Sequence, residues 1–263
     1  MNTTATLEQL KELKLIGMMR SYESVLQMPV NAHPNAHPLI AQLVEAERLS
    51  RSQHKMQLYL KLSKLRYAAT LEELSFAPQR NLNKEHILQL ADCSFIDRSE
   101  NLLISGAAGC GKSFLACAFG HQACQRGYRT LYLNLNRFVE KIMIAKLDGS
   151  FIKLLNQLEK VSLLILDDFG LAPLDQNARL ALLQILEDRY RRKSVIIASQ
   201  LPVIKWHEYL AEASLADAIM DRLTANAHRF ELKGESLRKP TLSSTGIDGQ
   251  NPTEKRHQEI ERK

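Results

Sequence analysis

Residues 106–113 are Gly106-Ala107-Ala108-Gly109-Cys110-Gly111-Lys112-Ser113, which match the phosphate-binding P-loop pattern G-x-x-x-x-G-K-[ST]. The apolar run 101–105 before them is typical of a buried strand, and residues 112–126 after them are typical of a helix that ends at Gly127. In such a loop, backbone N–H groups turn inward around a triphosphate, Lys112 supplies positive charge and the Ser113 hydroxyl ligates magnesium. The pattern predicts a nucleotide site, against the alternative of a glycine-rich turn that serves only geometry. The expected nucleotide contacts are Gly106, Ala107, Ala108, Gly109, Cys110, Gly111, Lys112, Ser113 and Phe114.

The composition is that of a protein with a substantial core and an excess of positive charge. Its 263 residues are 45% hydrophobic, which suffices for one α/β domain with a smaller extension. The chain has neither an uncharged apolar run of about 18 residues nor the features of a secretory signal, so we expect a cytoplasmic protein. Four cysteines without a Cys-x-x-Cys pair fit a reducing compartment. The net charge of +6 favours a polyanionic partner, although such an excess is often only a solvated surface.

Before the P-loop the sequence predicts a small all-helical domain. Residues 6–27 and 39–67 have helical apolar spacing, and the duplicated Asn-Ala-His-Pro tract at 31–38 predicts an extended linker. The span 48–66 contains no Asp or Glu. A basic helix without acids is a candidate for phosphate-backbone contacts, whereas the alternative is a solvated face that also packs. The candidate DNA contacts are Arg48, Arg51, Lys55, Lys61 and Lys64, and Arg66 ends the basic span.

Short apolar runs alternate with helical stretches after residue 75. The runs are residues 101–105, 130–135, 163–166, 195–198 and 229–232. This alternation predicts an α/β core with a five-stranded parallel sheet and helices on both faces. Ligands bind such sheets at the carboxyl ends of the strands, which is where the P-loop lies. We therefore expect a helical domain over residues 1–75, a nucleotide domain over 76–240 and a flexible tail over 241–263.

Polar side chains at the ends of two later strands complete the expected site. Asp167 and Asp168 follow an apolar run, and we expect Asp167 to hold magnesium and Asp168 to polarise the attacking water. The two acids alternatively only cap the following loop. At the end of the next run, Ser199 is preferred to Gln200 as a contact for the γ-phosphate or the water. Two arginines, Arg222 and Arg238, are candidates to stabilise charge on the transferred phosphoryl group.

This ordered set of motifs resembles the AAA+ ATPases of the initiator and helicase-loader branch. Further stretches resemble IstB, the ATP-dependent helper of an insertion-sequence transposase, which is similar to the helicase loader DnaC. The stretches are Leu-Asp-Asp-Phe-Gly at 166–170, Leu-Glu-Asp-Arg-Tyr at 186–190, Ala-Ser-Gln-Leu-Pro-Val at 198–203 and Glu-Leu-Lys-Gly-Glu-Ser-Leu-Arg at 231–238. The Ala-Glu-Arg segment at 46–48 also fits that family, so the resemblance spans nearly the whole chain.

The resemblance implies an ATPase that uses ATP and Mg²⁺, assembles on duplex DNA largely without sequence preference, and presents it to a partner transposase. Adjacent subunits of a homo-oligomer would share each ATP, with Arg222 as the arginine finger and Arg238 as the sensor-2 arginine. Many relatives have Glu where this chain has Asp168, and the shorter acid is expected to slow hydrolysis. The family also carries a helical element that would lie here within residues 136–160. Its candidate DNA contacts are Arg137, Lys141, Lys146 and Lys153.

Two alternatives to the transposition helper remain. A DnaC-like helicase loader would share the ATP site but contact mainly another protein, so Lys112 and Asp167 do not discriminate between the two. The long basic helix favours DNA. A small-molecule kinase would need an acceptor motif, which is absent from the sequence, and would leave Asp221 and Arg222 without a role.

Overall fold

A computed structural model describes residues 3–237 and contains one five-stranded sheet. All strand pairs are parallel, and the spatial order is β2-β3-β4-β1-β5. The strands are β1 (Asn101–Gly106), β2 (Thr130–Asn134), β3 (Leu163–Phe169), β4 (Ser194–Ser199) and β5 (Ala227–Leu232). The parallel α/β core predicted from the apolar runs is thus confirmed, with the strand bounds shifted by no more than three residues at either end. Within residues 3–237, no helix has the length and apolar character needed to cross a membrane.

Helices cover both faces of this sheet. Before β1 lie α1 (Thr3–Glu12), α2 (Ile16–Leu26), α3 (Ala36–Ser63), α4 (Lys84–Leu90) and α5 (Ser94–Asp97), and α6 (Lys112–Gln125) follows the P-loop. The remaining helices are α7 (Leu135–Leu147), α8 (Phe151–Glu159), α9 (Gln176–Arg189), α10 (Trp206–Leu210) and α11 (Ala213–Thr224). Strand side chains alternate between two buried clusters, one with α4, α5 and α6 and one with α7 to α11. Burial on both faces explains why the strands are continuous apolar runs.

The first predicted helix, over residues 6–27, is in fact two helices. The helix breaks at residues 13–15, where Lys14 takes a left-handed conformation with φ of 59°. The break lets α2 pack beside α3, and the Glu47 carboxylate accepts hydrogen bonds from the first-turn amides of Gly17 (2.8 Å) and Met18 (3.2 Å). A Cβ at Gly17 would collide with the backbone of Ala46, so this close packing requires glycine. Glu47 belongs to the Ala-Glu-Arg segment, and its role is to cap α2.

The second predicted helix, over residues 39–67, has different bounds. It begins at Ala36, because Asn35 is extended and the ring of Pro38 is compatible with a first helical turn. The predicted linker at 31–38 is correspondingly shorter and begins with a 3-10 turn at Val30–Ala32. The helix ends at Ser63, because Lys64 is left-handed with φ of 55°. The backbone at 64–67 therefore turns away from the helix axis towards the sheet.

Residues 65–76 pack against the nucleotide domain instead of forming an exposed connector. Ala69 and Leu71 are buried in the cluster under α6, and Leu65 lies against the helix at Gly120, where a Cβ would approach its methyl group to 2.7 Å. The division at residue 75 stays a prediction, and this packing favours a boundary nearer residue 64. The tail predicted over 241–263 lies outside the described residues.

A buried arginine joins three elements on the far side of the sheet. The Arg189 guanidinium donates to the carbonyls of Leu158, Val161, Ser162 and Ser194 at 2.8 to 3.1 Å. Burial lowers the pKa of Arg189, while four carbonyl acceptors stabilise the cation. These bonds connect the end of α8 to the starts of β3 and β4. Arg189, the arginine of the Leu-Glu-Asp-Arg-Tyr stretch, therefore has a structural role.

Candidate nucleotide site

The P-loop connects β1 to α6 with three glycines in conformations that disfavour other residues. Gly106, Gly109 and Gly111 have φ of 146°, 81° and 100°. A Cβ at Gly106 would collide with the carbonyl of Leu232 on β5, and one at Gly109 would collide with Ser236. The loop is therefore held tightly between α6 and the segment that follows β5. This is the geometry in which backbone amides converge on an anion.

A cavity of about 250 Å³ lies on the P-loop. Lys112 is buried, and its Nζ donates to the Ala107 carbonyl within the loop at 2.7 Å. The cavity is lined from the loop, from the ends of β3 and β4, and from the segments around residues 67 and 237. Its lining residues are Tyr67, Ala108, Gly109, Gly111, Lys112, Ser113, Phe114, Asp168, Gln200 and Leu237. The predicted P-loop contacts Ala108, Gly109, Gly111, Lys112, Ser113 and Phe114 therefore share one cavity.

The segment after β5 closes one side of this cavity. The Leu237 amide donates to the Gly109 carbonyl at 3.0 Å, and the Lys233 amide donates to the Arg80 carbonyl at 3.1 Å. Arg80 in turn donates to the Cys110 carbonyl at 3.3 Å. The chain is thus tied to the P-loop immediately before residue 238. Arg238 itself, expected as a sensor arginine, lies outside the described residues.

The two acids at the end of β3 occupy different environments. Asp167 is 1% exposed and accepts a hydrogen bond from the Tyr132 hydroxyl on β2 at 2.5 Å. Asp168 has a left-handed φ of 60°, at the register shift between β3 and β4, and its Oδ2 accepts a hydrogen bond from the Asn134 side-chain amide Nδ2 at 2.6 Å. The bulge directs Asp168 into the P-loop cavity. Burial, followed by the bond to Asp167, raises the pKa of Tyr132, which keeps the hydroxyl a donor.

Arg66 lies at the site, although the sequence indicated it only as the last cation of the basic span. Its guanidinium lies 4.0 Å from Asp167 Oδ2 and 3.7 Å from Asp168 Oδ2, and it stacks near the Tyr67 ring at 5.4 Å. Hydrogen bonding with Tyr132 raises the pKa of Arg66, with a smaller contribution from the charge of Asp168. The left-handed turn at Lys64 brings this residue to the site, and a left-handed lysine leaves no clear signal in sequence.

The structure favours Gln200 over Ser199 as the residue at the P-loop cavity. Ser199 is fully buried, its hydroxyl donates to the Phe169 carbonyl at 2.6 Å, and it accepts from the Leu201 amide at 3.0 Å. These bonds hold the β4 end against the β3 end, and Ser199 is not among the residues that line the cavity. Gln200, the next residue, lines it.

Arg222 lies at the amino ends of the strands, whereas the P-loop lies at their carboxyl ends. It shares a cavity with Asn101, Val195 and Asn226, which are at or next to the amino ends of β1, β4 and β5. Its guanidinium donates to Glu187 at 2.7 Å and to Asp221 at 3.2 Å. Arg222 is therefore remote from the P-loop of its own chain.

The candidate DNA contacts fall into two groups. Arg48 forms an ion pair with Glu45 at 2.6 Å, and Arg51 forms one with Glu47 at 2.7 Å. Both acids lie just before the acid-free span, so the first two cations of that span are compensated. The others are exposed cations on α3, α7 and α8 or at the end of α3. They are Lys55, Lys61, Lys64, Arg137, Lys141, Lys146 and Lys153. The expected helical element at 136–160 corresponds to α7 and α8.

Comparison with known proteins assigns the chain to a family. The family described as "IstB-like ATP binding protein" matches residues 8–245. The chain belongs to this family. It is 41% identical over 234 residues to y4pL of Sinorhizobium fredii, named as an insertion-sequence ATP-binding protein, with 89% of this chain and 96% of the relative covered. It is also 31% identical over 244 residues to the IS21 ATP-binding protein of Pseudomonas aeruginosa, covering 93% and 92%.

Solved structures confirm the AAA+ fold of this IstB-like protein. DnaI superposes with a TM-score of 0.55 at 20% identity, covering 63% of this chain and 92% of DnaI. The DnaC helicase loader gives 0.51 at 19% identity, covering 64% and 98%. AMPPCP-bound DnaA from Aquifex aeolicus gives 0.53 at 21% identity, covering 65% and 51%. The predicted likeness to the initiator and helicase-loader branch is therefore correct at the level of fold.

The site of this IstB-like protein fits ATP and magnesium. The glycine cradle and buried Lys112 suit a triphosphate, as expected for an ATP-binding family. Ser113 in the cavity and the buried carboxylate of Asp167 supply hard oxygen donors of the kind Mg²⁺ prefers.

Proposed function

We propose that this IstB-like protein is an ATPase that assembles on duplex DNA of arbitrary sequence and presents that DNA to a partner transposase. The observation that carries the proposal is the shared cavity, in which Lys112 and Ser113 of the P-loop meet Asp168 from β3. The relatives named as insertion-sequence ATP-binding proteins support the transposition role. The likeness to DnaC concerns the fold alone, so helicase loading is not proposed.

Hydrolysis would use the residues of the cavity in distinct roles. Lys112 binds the outer phosphates, and Ser113 with Asp167 would hold Mg²⁺, which neutralises charge on the phosphates when bound. Asp168 polarises the attacking water, and the hydrogen bond from the Asn134 side chain orients the Asp168 carboxylate. Gln200 replaces Ser199 as the residue that contacts the γ-phosphate or the water, because Gln200 lines the cavity.

The position of Arg222 supports a nucleotide shared between subunits. Because it lies at the amino ends of the strands, it cannot serve its own P-loop without a large movement. The Arg222 side chain is partly exposed, at 28%, and an arginine at a subunit surface could reach the nucleotide of a neighbour in a homo-oligomer, as an arginine finger does. Its pairs with Glu187 and Asp221 would hold the guanidinium in place until the subunits meet.

Duplex DNA would contact the seven exposed cations on α3, α7 and α8 or at the end of α3 that the sequence indicated, which do not include Lys160. Such contacts read the phosphate backbone and carry no base information, which fits binding without sequence preference. The pairs with Glu45 and Glu47 make Arg48 and Arg51 weaker candidates than the other cations.

The direct test compares wild-type protein with Lys112→Ala, and with Lys160→Ala as a control at an exposed cation of α8's end. Fluorescence anisotropy of a random-sequence duplex measures DNA binding with ATP, with ADP and without nucleotide. We expect ATP to strengthen binding for wild type and control but not for Lys112→Ala. Affinity should fall about 1,000-fold or more between about 50 and about 200 mM salt. ATP-independent or salt-insensitive binding would contradict the proposal.

A further inference from the structure

A second cavity, of about 680 Å³, adjoins the nucleotide site and shares Asp168 with it. Its charged lining consists of four cations and this one carboxylate. The residues are Lys64, Arg66, Arg137, Lys141 and Asp168. Such an excess of positive charge around a concave surface, in the described part of the chain, is suited to bind an anion.

The four cations come from two elements that are far apart in sequence. Arg137 and Lys141 are four residues apart on α7, so they lie on one helix face. Lys64 and Arg66 follow α3, and the left-handed turn at Lys64 brings Arg66 towards the sheet. The cavity therefore joins the N-terminal helices, the α7 insertion and the acids of the nucleotide site.

Arg66 is held loosely by the two acids. Its 3.7 and 4.0 Å distances to the carboxylates exceed the 2.7–3.2 Å range typical of N–H···O bonds. The side chain is 43% exposed, and ion pairs of this kind are weak. A phosphate offers the guanidinium two short, charge-assisted hydrogen bonds, which are stronger than the contacts it makes with these acids.

We propose that this four-cation cavity binds a phosphate of the DNA backbone and that Arg66 is a positioning residue that exchanges between that phosphate and the pair Asp167 and Asp168. Without DNA, the guanidinium beside the acids competes with magnesium and restrains the water-polarising carboxylate. A phosphate in the cavity draws Arg66 away and releases both acids for hydrolysis. This proposal rests on the proposed ATPase function and adds how DNA would control it.

The placement favours a DNA phosphate over free phosphate. Lys61 continues the positive surface from the cavity along α3, as do further cations on α7 and α8. A phosphodiester chain can contact these neighbours while one of its phosphates occupies the cavity, whereas an isolated phosphate contacts the cavity alone. Several simultaneous contacts raise affinity through the release of counterions.

The test uses Arg66→Ala, Arg66→Lys and, as a control, Lys160→Ala in the full chain. The first readout is the Mg²⁺ concentration that half-saturates binding of a fluorescent ATP analogue. We expect Arg66→Ala to lower it about fivefold, Arg66→Lys to restore it towards wild type, and the control to leave it unchanged. Duplex DNA should lower this Mg²⁺ requirement for wild type but not for Arg66→Ala. A purely structural role of Arg66 would instead weaken analogue binding at all Mg²⁺ concentrations, and that result would overturn the proposal.

The second readout is ATP turnover with and without random duplex. We expect Arg66→Ala to hydrolyse ATP without DNA faster than wild type does without DNA, while the full rate still requires assembly on DNA. In Arg137→Ala/Lys141→Ala, half-maximal stimulation should need about tenfold more DNA. A rate for Arg66→Ala without DNA that is no higher than that of wild type without DNA would overturn the switch while leaving the proposed function intact. Absence of hydrolysis by wild type under every condition would overturn both.

Inorganic phosphate at the same phosphate concentration as the duplex identifies the ligand. We expect it to leave the Mg²⁺ requirement and the turnover of wild type unchanged. Stimulation equal to that by DNA would overturn the assignment to a backbone phosphate.

Discussion

Asp168 combines three features: a left-handed backbone, a hydrogen bond from Asn134 and a position on the P-loop cavity. We expect Asp168→Asn to retain ATP affinity, because on the proposed function Lys112 and the loop amides would supply most phosphate contacts. Turnover should fall about 100-fold or more, since an amide is a poor proton acceptor. Nucleotide affinity and steady-state hydrolysis, measured on the same preparation, check this prediction, with Asp217→Asn, at an exposed side chain of α11, as the matched control. Unchanged turnover would remove Asp168 from the mechanism.

Ser199 and Gln200 are adjacent but should give opposite phenotypes. Ser199→Ala removes a buried hydrogen bond to the end of β3 and a partly buried one from Leu201, so we expect it to destabilise the fold by about 1 to 3 kcal/mol. Gln200→Ala should leave stability nearly unchanged and reduce turnover, because Gln200 is exposed and lines the cavity. Urea unfolding and ATPase assays of both variants distinguish the two roles. A loss of stability in Gln200→Ala alone would reverse the assignment.

The strands and the P-loop could be predicted from sequence because each depends on local pattern. A parallel strand buried on both faces needs a continuous apolar run, and the P-loop glycines have φ of 81° to 146°, which other residues rarely adopt. The break at Lys14 and the helix end at Lys64 could not be predicted, since lysine carries no preference for a left-handed backbone. Arg66 was missed as a site residue for the same reason.

The Glu47 carboxylate on α3 accepts hydrogen bonds from the start of α2 and so helps hold α2 against α3. Replacing it with Ala leaves the amides of Gly17 and Met18 without their acceptor, and we expect a loss of about 1 to 3 kcal/mol in the free energy of unfolding. Glu45→Ala is the matched control, because Glu45 pairs with Arg48 on the surface and should have little effect. Urea denaturation followed by circular dichroism measures both. Equal stability of the two variants would show that the cap is unimportant.

The contact between α4 and β5 should make stability depend on pH. His86 stacks on Phe230 at 4.7 Å and bonds His228 at 3.2 Å. Burial, with a contribution from His228, lowers the pKa of His86 below its ordinary 6.5. The unfolded chain therefore binds this proton first, so stability falls as pH drops below about 6.5 towards the lowered pKa. The free energy of unfolding between pH 7.5 and 5 should decline less steeply in His86→Gln than in wild type; equal slopes would exclude His86.

At the scale of the molecule, the P-loop lies at the carboxyl ends of the strands and Arg222 at their amino ends. A site divided in this way would be complete only between copies of the chain, so nucleotide binding would act as an assembly switch. The separation could be inferred from sequence only through the family resemblance, since nothing local to Asp221 and Arg222 indicates at which end of the strands they lie. The relatives' names associate them with insertion sequences, and the partner transposase belongs to the proposed function.

Sedimentation velocity of the protein with ATP and random-sequence duplex DNA tests the central claim most directly. We expect a large assembly that requires both ATP and DNA, is lost in Lys112→Ala, and is retained without turnover in Arg222→Ala. Diluting the complex should lower hydrolysis per subunit, because isolated subunits lack the neighbour's arginine. A protein that stays monomeric with ATP and DNA, or that hydrolyses ATP at its full rate as a monomer, would contradict the account.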